Sequence, residues 1–116
     1  MSKIILITGG SSGIGKAIAI YLSSFDKYIV YGTSRNSDNH SELPFNLIDL
    51  DVTSTRSIET CVENIISQHG KLDILINNAG VGITGPMEET SNDEIEKHFK
   101  INLYGPINLM KKVLPY

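Results

Sequence analysis

A single cysteine, Cys61, rules out an internal disulfide, and nothing in the chain points to an oxidising compartment. Positive charge is scarce as well. Ten Lys+Arg stand against 13 Asp+Glu, a net charge of −3, which leaves no basic field for a nucleic-acid backbone or an anionic membrane. The longest apolar run near the start is Ile4 to Ile7, far short of a signal-peptide core or a membrane span, so cytoplasm is the default location. Only 4 prolines and 10 glycines occur among residues that are 41% hydrophobic and 20% charged, which argues against a disordered chain or a collagen-like repeat. The histidines His40, His69 and His98 are widely and evenly spaced, which is not metal-ligand spacing, and no metal site is expected.

The chain alternates apolar strand-like runs with segments of helical period. Lys3 to Thr8 is β-branched and lacks polar alternation, as a strand buried on both faces requires. Tyr28 to Thr33 reads as a second strand, Phe45 to Leu50 as a weaker third, and Leu72 to Ile76 as a fourth. Between them, Ile14, Ala17, Ile18, Tyr21 and Leu22 are spaced for one helix face. Ile58, Val62, Ile65, Ile66 and His69 mark another, with Thr53 or Ser54 as cap and Gly70 as stop. Ser91 and Glu94 form a capping-box pair for a helix carrying Ile95 and Phe99. The pattern is helical again from Ile101 to Leu114, where Gly105-Pro106 should disturb it. Such alternation predicts a Rossmann-like, doubly wound parallel α/β sheet, and right-handed crossovers give the strand order 3-2-1-4.

The first strand runs directly into Gly9-Gly10-Ser11-Ser12-Gly13-Ile14-Gly15. Glycines there permit positive φ and close backbone approach, and N–H groups at the start of the next helix favour a pyrophosphate. The spacing is G-x-x-x-G-x-G, which is not the common dinucleotide fingerprint, and no lysine follows at Walker A spacing. From the spacing alone, a bland strand-to-helix loop competes with a dinucleotide site. NAD sites of this kind carry an acidic residue about 20 residues beyond the glycines, holding the ribose 2′-hydroxyl. At that distance stands neutral Ser34, followed by Arg35. A guanidinium in place of a carboxylate suits the 2′-phosphate of NADP, and NAD less well. The competing reading makes Arg35 a solvated surface charge.

Four motifs agree in order and spacing. Thr8 to Gly15 resembles the cofactor turn of the short-chain dehydrogenase/reductase family, and Asp51-Val52 resembles the pair after its third strand. Asn77-Asn78-Ala79-Gly80 matches the family's N-N-A-G signature, and Asn102 matches the helix asparagine of its catalytic tetrad. The resemblance covers residues 3–116, and the Arg35 position further resembles the NADP-preferring branch. It implies that Gly9, Ser11, Ser12, Gly13, Ile14 and Gly15 surround the adenosine ribose and pyrophosphate. Asp51 would accept from the adenine amino group, the Val52 backbone would contact the ring, and Asn78, Ala79 and Gly80 would line the cofactor ribose. Asn77 would tie the fourth strand to its neighbours, and the Asn102 carbonyl would hold an ordered water. Taken without the resemblance, the competing readings make Asp51 a cap for the helix after it, Asn77 and Asn78 turn residues, and Asn102 an exposed helix asparagine.

The same resemblance implies hydride transfer between nicotinamide and a small carbonyl or alcohol substrate, with proton transfer by a tyrosine beside a lysine and a serine. Those three groups are not found. Tyr21, Tyr28, Tyr31 and Tyr104 are followed four residues later by Phe25, Gly32, Arg35 and Asn108, and Tyr116 is the last residue. Doubly wound domains with this many elements often run to roughly 200–250 residues. The 116 residues therefore read as the N-terminal, cofactor-binding part of one domain, without the C-terminal strands. Such a part is expected to be inactive alone, or to need a second polypeptide. It would leave the fourth strand as a sheet edge, so self-association through that edge and the last helix is expected.

Overall fold

A computed structural model describes residues 2–11, 13–35, 43–78 and 91–116, the His98 side chain excepted. Strand β1 (Lys3–Ile7) is built from β-branched residues that shed little entropy in an extended backbone and gain by burial on both faces. It pairs in parallel with β2 (Tyr28–Ser34) on one side and β4 (Ile74–Ile76) on the other, with β3 (Asn46–Asp49) outside β2. The order is β3-β2-β1-β4, as the crossover rule predicts. Register places Ile5 beside Val30 and Ile74, so β1 is the central rib of the sheet.

Period-2 alternation sends the strand side chains to two separate cores. Ile4, Leu6 and Tyr31 meet α2 (Thr55–His69) and α4 (Gly105–Val113) through Ile58, Val62, Ile65, Leu109 and Val113. Ile5, Ile7, Val30 and Phe45 meet α1 (Gly13–Ser23) through Ala19, Ile18 and Leu22 on the opposite face. The buried stripe of α1 is thus Gly15, Ile18, Ala19 and Leu22, rotated from the stripe expected. Ile14 and Tyr21 are exposed, at 74% and 65%.

Helix ends follow local chemistry. Ser54 caps α2 by accepting from the Ser57 N–H, and Gly70 ends it at φ 73°, donating to the Ile66 carbonyl. Ser91 caps α3 (Asn92–Phe99) by accepting from the Glu94 N–H, which supplies one half of the expected capping box. Between α3 and α4 the chain forms a π-turn, Lys100–Tyr104, in which the Gly105 N–H bonds the Lys100 carbonyl five residues back. The distortion anticipated at Gly105-Pro106 has two causes. Proline has no N–H to continue an α-helical ladder. In addition, a Cβ on Gly105 would stand 2.8 Å from Val52 Cγ2, so this turn is pressed directly onto the loop after β3.

At the opposite end of the sheet, Asp73 Oδ2 accepts from the Ile4 N–H at 2.7 Å and pairs with Lys71 at 3.2 Å. These contacts hold the starts of β1 and β4 together. Cys61 lies in the α2 core at 1% exposure, and burial pushes its thiol up to about 12. Iodoacetamide at pH 8 should therefore leave Cys61 unmodified in the folded chain and alkylate it rapidly in urea. Rapid native-state labelling would show that this core opens readily.

Candidate functional site

The glycine-rich turn lies at the C-terminal ends of β1 and β2, the side of an open α/β sheet where ligands bind. Gly9 and Gly13 adopt φ of 69° and 58°, a region in which side chains are strained. Gly10 and Gly15 are glycine for a different reason. A Cβ on Gly10 would stand 2.7 Å from Gly32 Cα, and one on Gly15 would collide with Asn78 Nδ2 and the Gly9 carbonyl oxygen. Gly32 in turn leaves room for Phe45, whose ring would be 2.6 Å from a Cβ there. The turn is thus seated on bare backbone of β2 and locked against the end of β4.

Two buried hydroxyls hold that seat. Thr33 Oγ1 accepts from the Gly9 N–H at 3.1 Å, and Thr8 Oγ1 accepts from the Asn78 N–H at 2.9 Å. The Asn78 side chain adds a bond to the Gly9 carbonyl at 3.4 Å. It is therefore Asn78 that ties the end of β4 to its neighbours, while Asn77 is exposed. Gly32 lies outside the expected turn, Gly10 lies within it without an assigned role, and no role is expected of the two threonines, Thr8 in the motif and Thr33 on β2. Their signal is a hydroxyl near the end of an otherwise apolar strand, which needs a partner once buried.

Arg35 follows β2 immediately and is exposed on the same side of the sheet. Asp51 follows β3, and its Oδ1 accepts from both the Thr53 hydroxyl at 2.7 Å and the Thr53 N–H at 2.9 Å. Those two bonds, hydroxyl first, hold the Asp51 carboxyl below the usual carboxylate range, and the Arg35 charge adds to them. Asp51 closes a tight turn ahead of α2, and Ser54 is the cap. Val52 is buried against Gly105, which joins the loop after β3 to the π-turn that contains Asn102. A cleft of about 310 Å³ lies between Arg35 and Thr53 on one side and α3 with Ile101 on the other.

Gly9, Gly13, Ile14, Gly15, Arg35, Asp51 and Asn78 therefore all stand at one end of the sheet, with Gly9 and Asn78 joined by the bonds above and Ser11 in the same turn. Asn102 reaches this end through Gly105 and Val52. Ser12, Ala79 and Gly80 lie outside the described residues. Thr8→Val should leave the Asn78 N–H without this acceptor and lower unfolding free energy in urea by about 1–3 kcal/mol, with Thr8→Ser close to wild type. Equal stability of Thr8→Val and wild type would remove this bond from the account.

The family model described as short chain dehydrogenase matches residues 3–116. Among curated proteins, the chain is 46% identical over 115 residues to a 3-ketodihydrosphingosine reductase of Bacteroides thetaiotaomicron, covering 98% of this chain and 42% of that protein. A crystal structure of a short-chain dehydrogenase from Streptomyces avermitilis superposes with a TM-score of 0.91 at 33% identity, over 99% of this chain and 44% of that one. The structure of ElxO with NADP bound gives 0.87 at 32% identity, over 99% and 50%. The chain thus spans half or less of the length of each protein it matches here. With strand order, turn and motifs in agreement, the chain belongs to the short chain dehydrogenase family.

Proposed function

We propose that this chain is the cofactor-binding part of an NADP-dependent oxidoreductase of the carbonyl reductase or alcohol dehydrogenase type. The observation that carries the reading is the seated glycine turn with Arg35, in place of a carboxylate, directly beyond β2. The residues fit such a cofactor. Space for a Cβ on Gly13 is open, Ile14 is exposed beside it, and the first N–H groups of α1 face the same side. NADP bound to a structurally similar protein supports the choice of nucleotide. A relative named as the reductase of a keto compound supports the carbonyl class.

In this reading the turn from Gly9 to Gly15 binds the pyrophosphate through backbone N–H groups, and Ser11 and Ser12 add hydroxyls. Arg35 grips the 2′-phosphate in fork geometry. Asp51, kept ionised by its Thr53 bonds, accepts from the adenine amino group, while the Val52 backbone borders the ring. Asn78, Ala79 and Gly80 line the ribose nearest the reacting end. A nicotinamide cofactor held there would supply a hydride to a carbonyl carbon, or accept one from an alcohol carbon. Asn102, within the π-turn, orients a water through its backbone carbonyl.

A second reading has its own support, since no Tyr-x-x-x-Lys occurs in the 116 residues. The chain then binds nucleotide without turnover, or works with residues supplied from elsewhere. Self-association belongs to the second reading, with Met110 and Leu114 at the last helix exposed at 41% and 79%. Among the described residues no helix is long and apolar enough to cross a membrane, and a cytoplasmic location belongs to the same proposal.

Arg35→Asp tests the cofactor assignment. It should weaken NADPH binding by about 1.5–3 kcal/mol, roughly 10- to 150-fold, with little loss for NADH. Equal losses, or none, measured by calorimetry would take Arg35 out of the site.

A further inference from the structure

The cleft beside Arg35 has a second wall that the family motifs do not touch. Arg35 and Thr53 line one side, and Asp93, Glu96, Lys97 and Lys100 line the other. The last four recur at helical spacing, so one stripe from α3 into the π-turn faces the cleft. Its charge is graded. Asp93 lies in the first turn of α3, where it complements the helix dipole, and both lysines lie toward the other end beside buried Ile101.

Asp93 to Lys97 and Glu96 to Lys100 are the four-residue spacings that favour ion pairs within a helix. Among the described residues, nevertheless, neither lysine has a carboxylate within ion-pair distance, and the pairs formed include Lys71–Asp73 and Lys112–Glu63 elsewhere. Both lysines are exposed and face the same space as Arg35. Arg35, Lys97 and Lys100 outnumber the two carboxylates of the cleft, Asp93 and Glu96, so the lining keeps a net positive charge that favours an anion.

We propose that α3 forms the outer wall of the adenosine phosphate subsite, with Lys97 and Lys100 joining Arg35 around the 2′-phosphate of the nucleotide. The inference rests on the NADP reading above. The anion lies at the lysine end of the stripe, away from Asp93, and Glu96 opposes it. The lysines are therefore specificity residues for the phosphorylated nucleotide, supplied by an element other than the strand that carries Arg35.

Calorimetry on the 116-residue chain with adenosine 2′,5′-bisphosphate, NADPH and ADP, at low and high salt, tests this. The double variant Lys97→Met/Lys100→Met should bind adenosine 2′,5′-bisphosphate and NADPH roughly tenfold or more weakly, with a shallower salt dependence. ADP affinity should stay within about twofold, since both side chains are exposed and the fold does not depend on them. Lys97→Arg/Lys100→Arg should restore binding, and Glu96→Gln should tighten it. If the methionine variant keeps wild-type affinity for the bisphosphate while Arg35→Asp loses it, the lysines are excluded and the NADP reading stands. If wild type binds NADPH no better than NADH, or binds neither, the NADP reading falls and this proposal with it.

Discussion

The bond from the Gly9 N–H to the buried Thr33 hydroxyl, with its counterpart from Asn78 to Thr8, is the constraint on which the site depends. A glycine-rich turn has few side chains with which to anchor itself and loses much conformational freedom when ordered. Here the anchoring groups belong to the strands. Each hydroxyl contributes about 0.5–1.5 kcal/mol net, and more is lost if its partner is buried unpaired. The more important effect is geometric. Thr33 lies two residues before Arg35, so one short stretch of β2 fixes both the turn and the cation beyond it.

The same economy governs the other half of the site. Val52 follows Asp51 directly and packs where a Cβ on Gly105 would be, so the loop after β3 and the π-turn form one packed unit. Asp51 is held by Thr53, and Thr53 lines the cleft that α3 closes. Changes at Gly105 should thus be felt at Asp51, although the two are far apart in sequence. The wider-than-helical turn at Lys100–Tyr104 connects α3 to α4, whose Leu109 and Val113 pack into the core below β1.

Strand order, the Ser54, Ser91 and Gly70 helix ends and the distortion at Gly105-Pro106 were legible in the residues because each has a local cause. What stayed hidden depends on close approach between distant segments. Ile18 and Leu22 of the expected α1 stripe do pack on the core, but Ile14, Ala17 and Tyr21 are exposed and Gly15 and Ala19 are buried in their place. Hydrophobic periodicity weighs large side chains and is blind to a backbone packed on a backbone. Gly10 against Gly32 is the extreme case, since neither has a side chain to signal the contact. The assignment of the tie to Asn77 failed by one position because, at the end of a strand, neighbouring residues point to opposite sides. Thr8 and Thr33 resembled ordinary strand residues, and only their burial reveals the bonds they make.

In the proposed function, one end of a four-stranded sheet, organised around the seated turn, is a nucleotide site. Amide chemical shifts of the isotope-labelled chain during NADPH titration test that claim most directly. It predicts saturable shifts at Gly9 to Gly15, at Arg35 and in the Asp51 to Thr53 turn, with the Lys71 to Asp73 end of the sheet unchanged. Shifts centred on that opposite end, or none at millimolar NADPH, would contradict it.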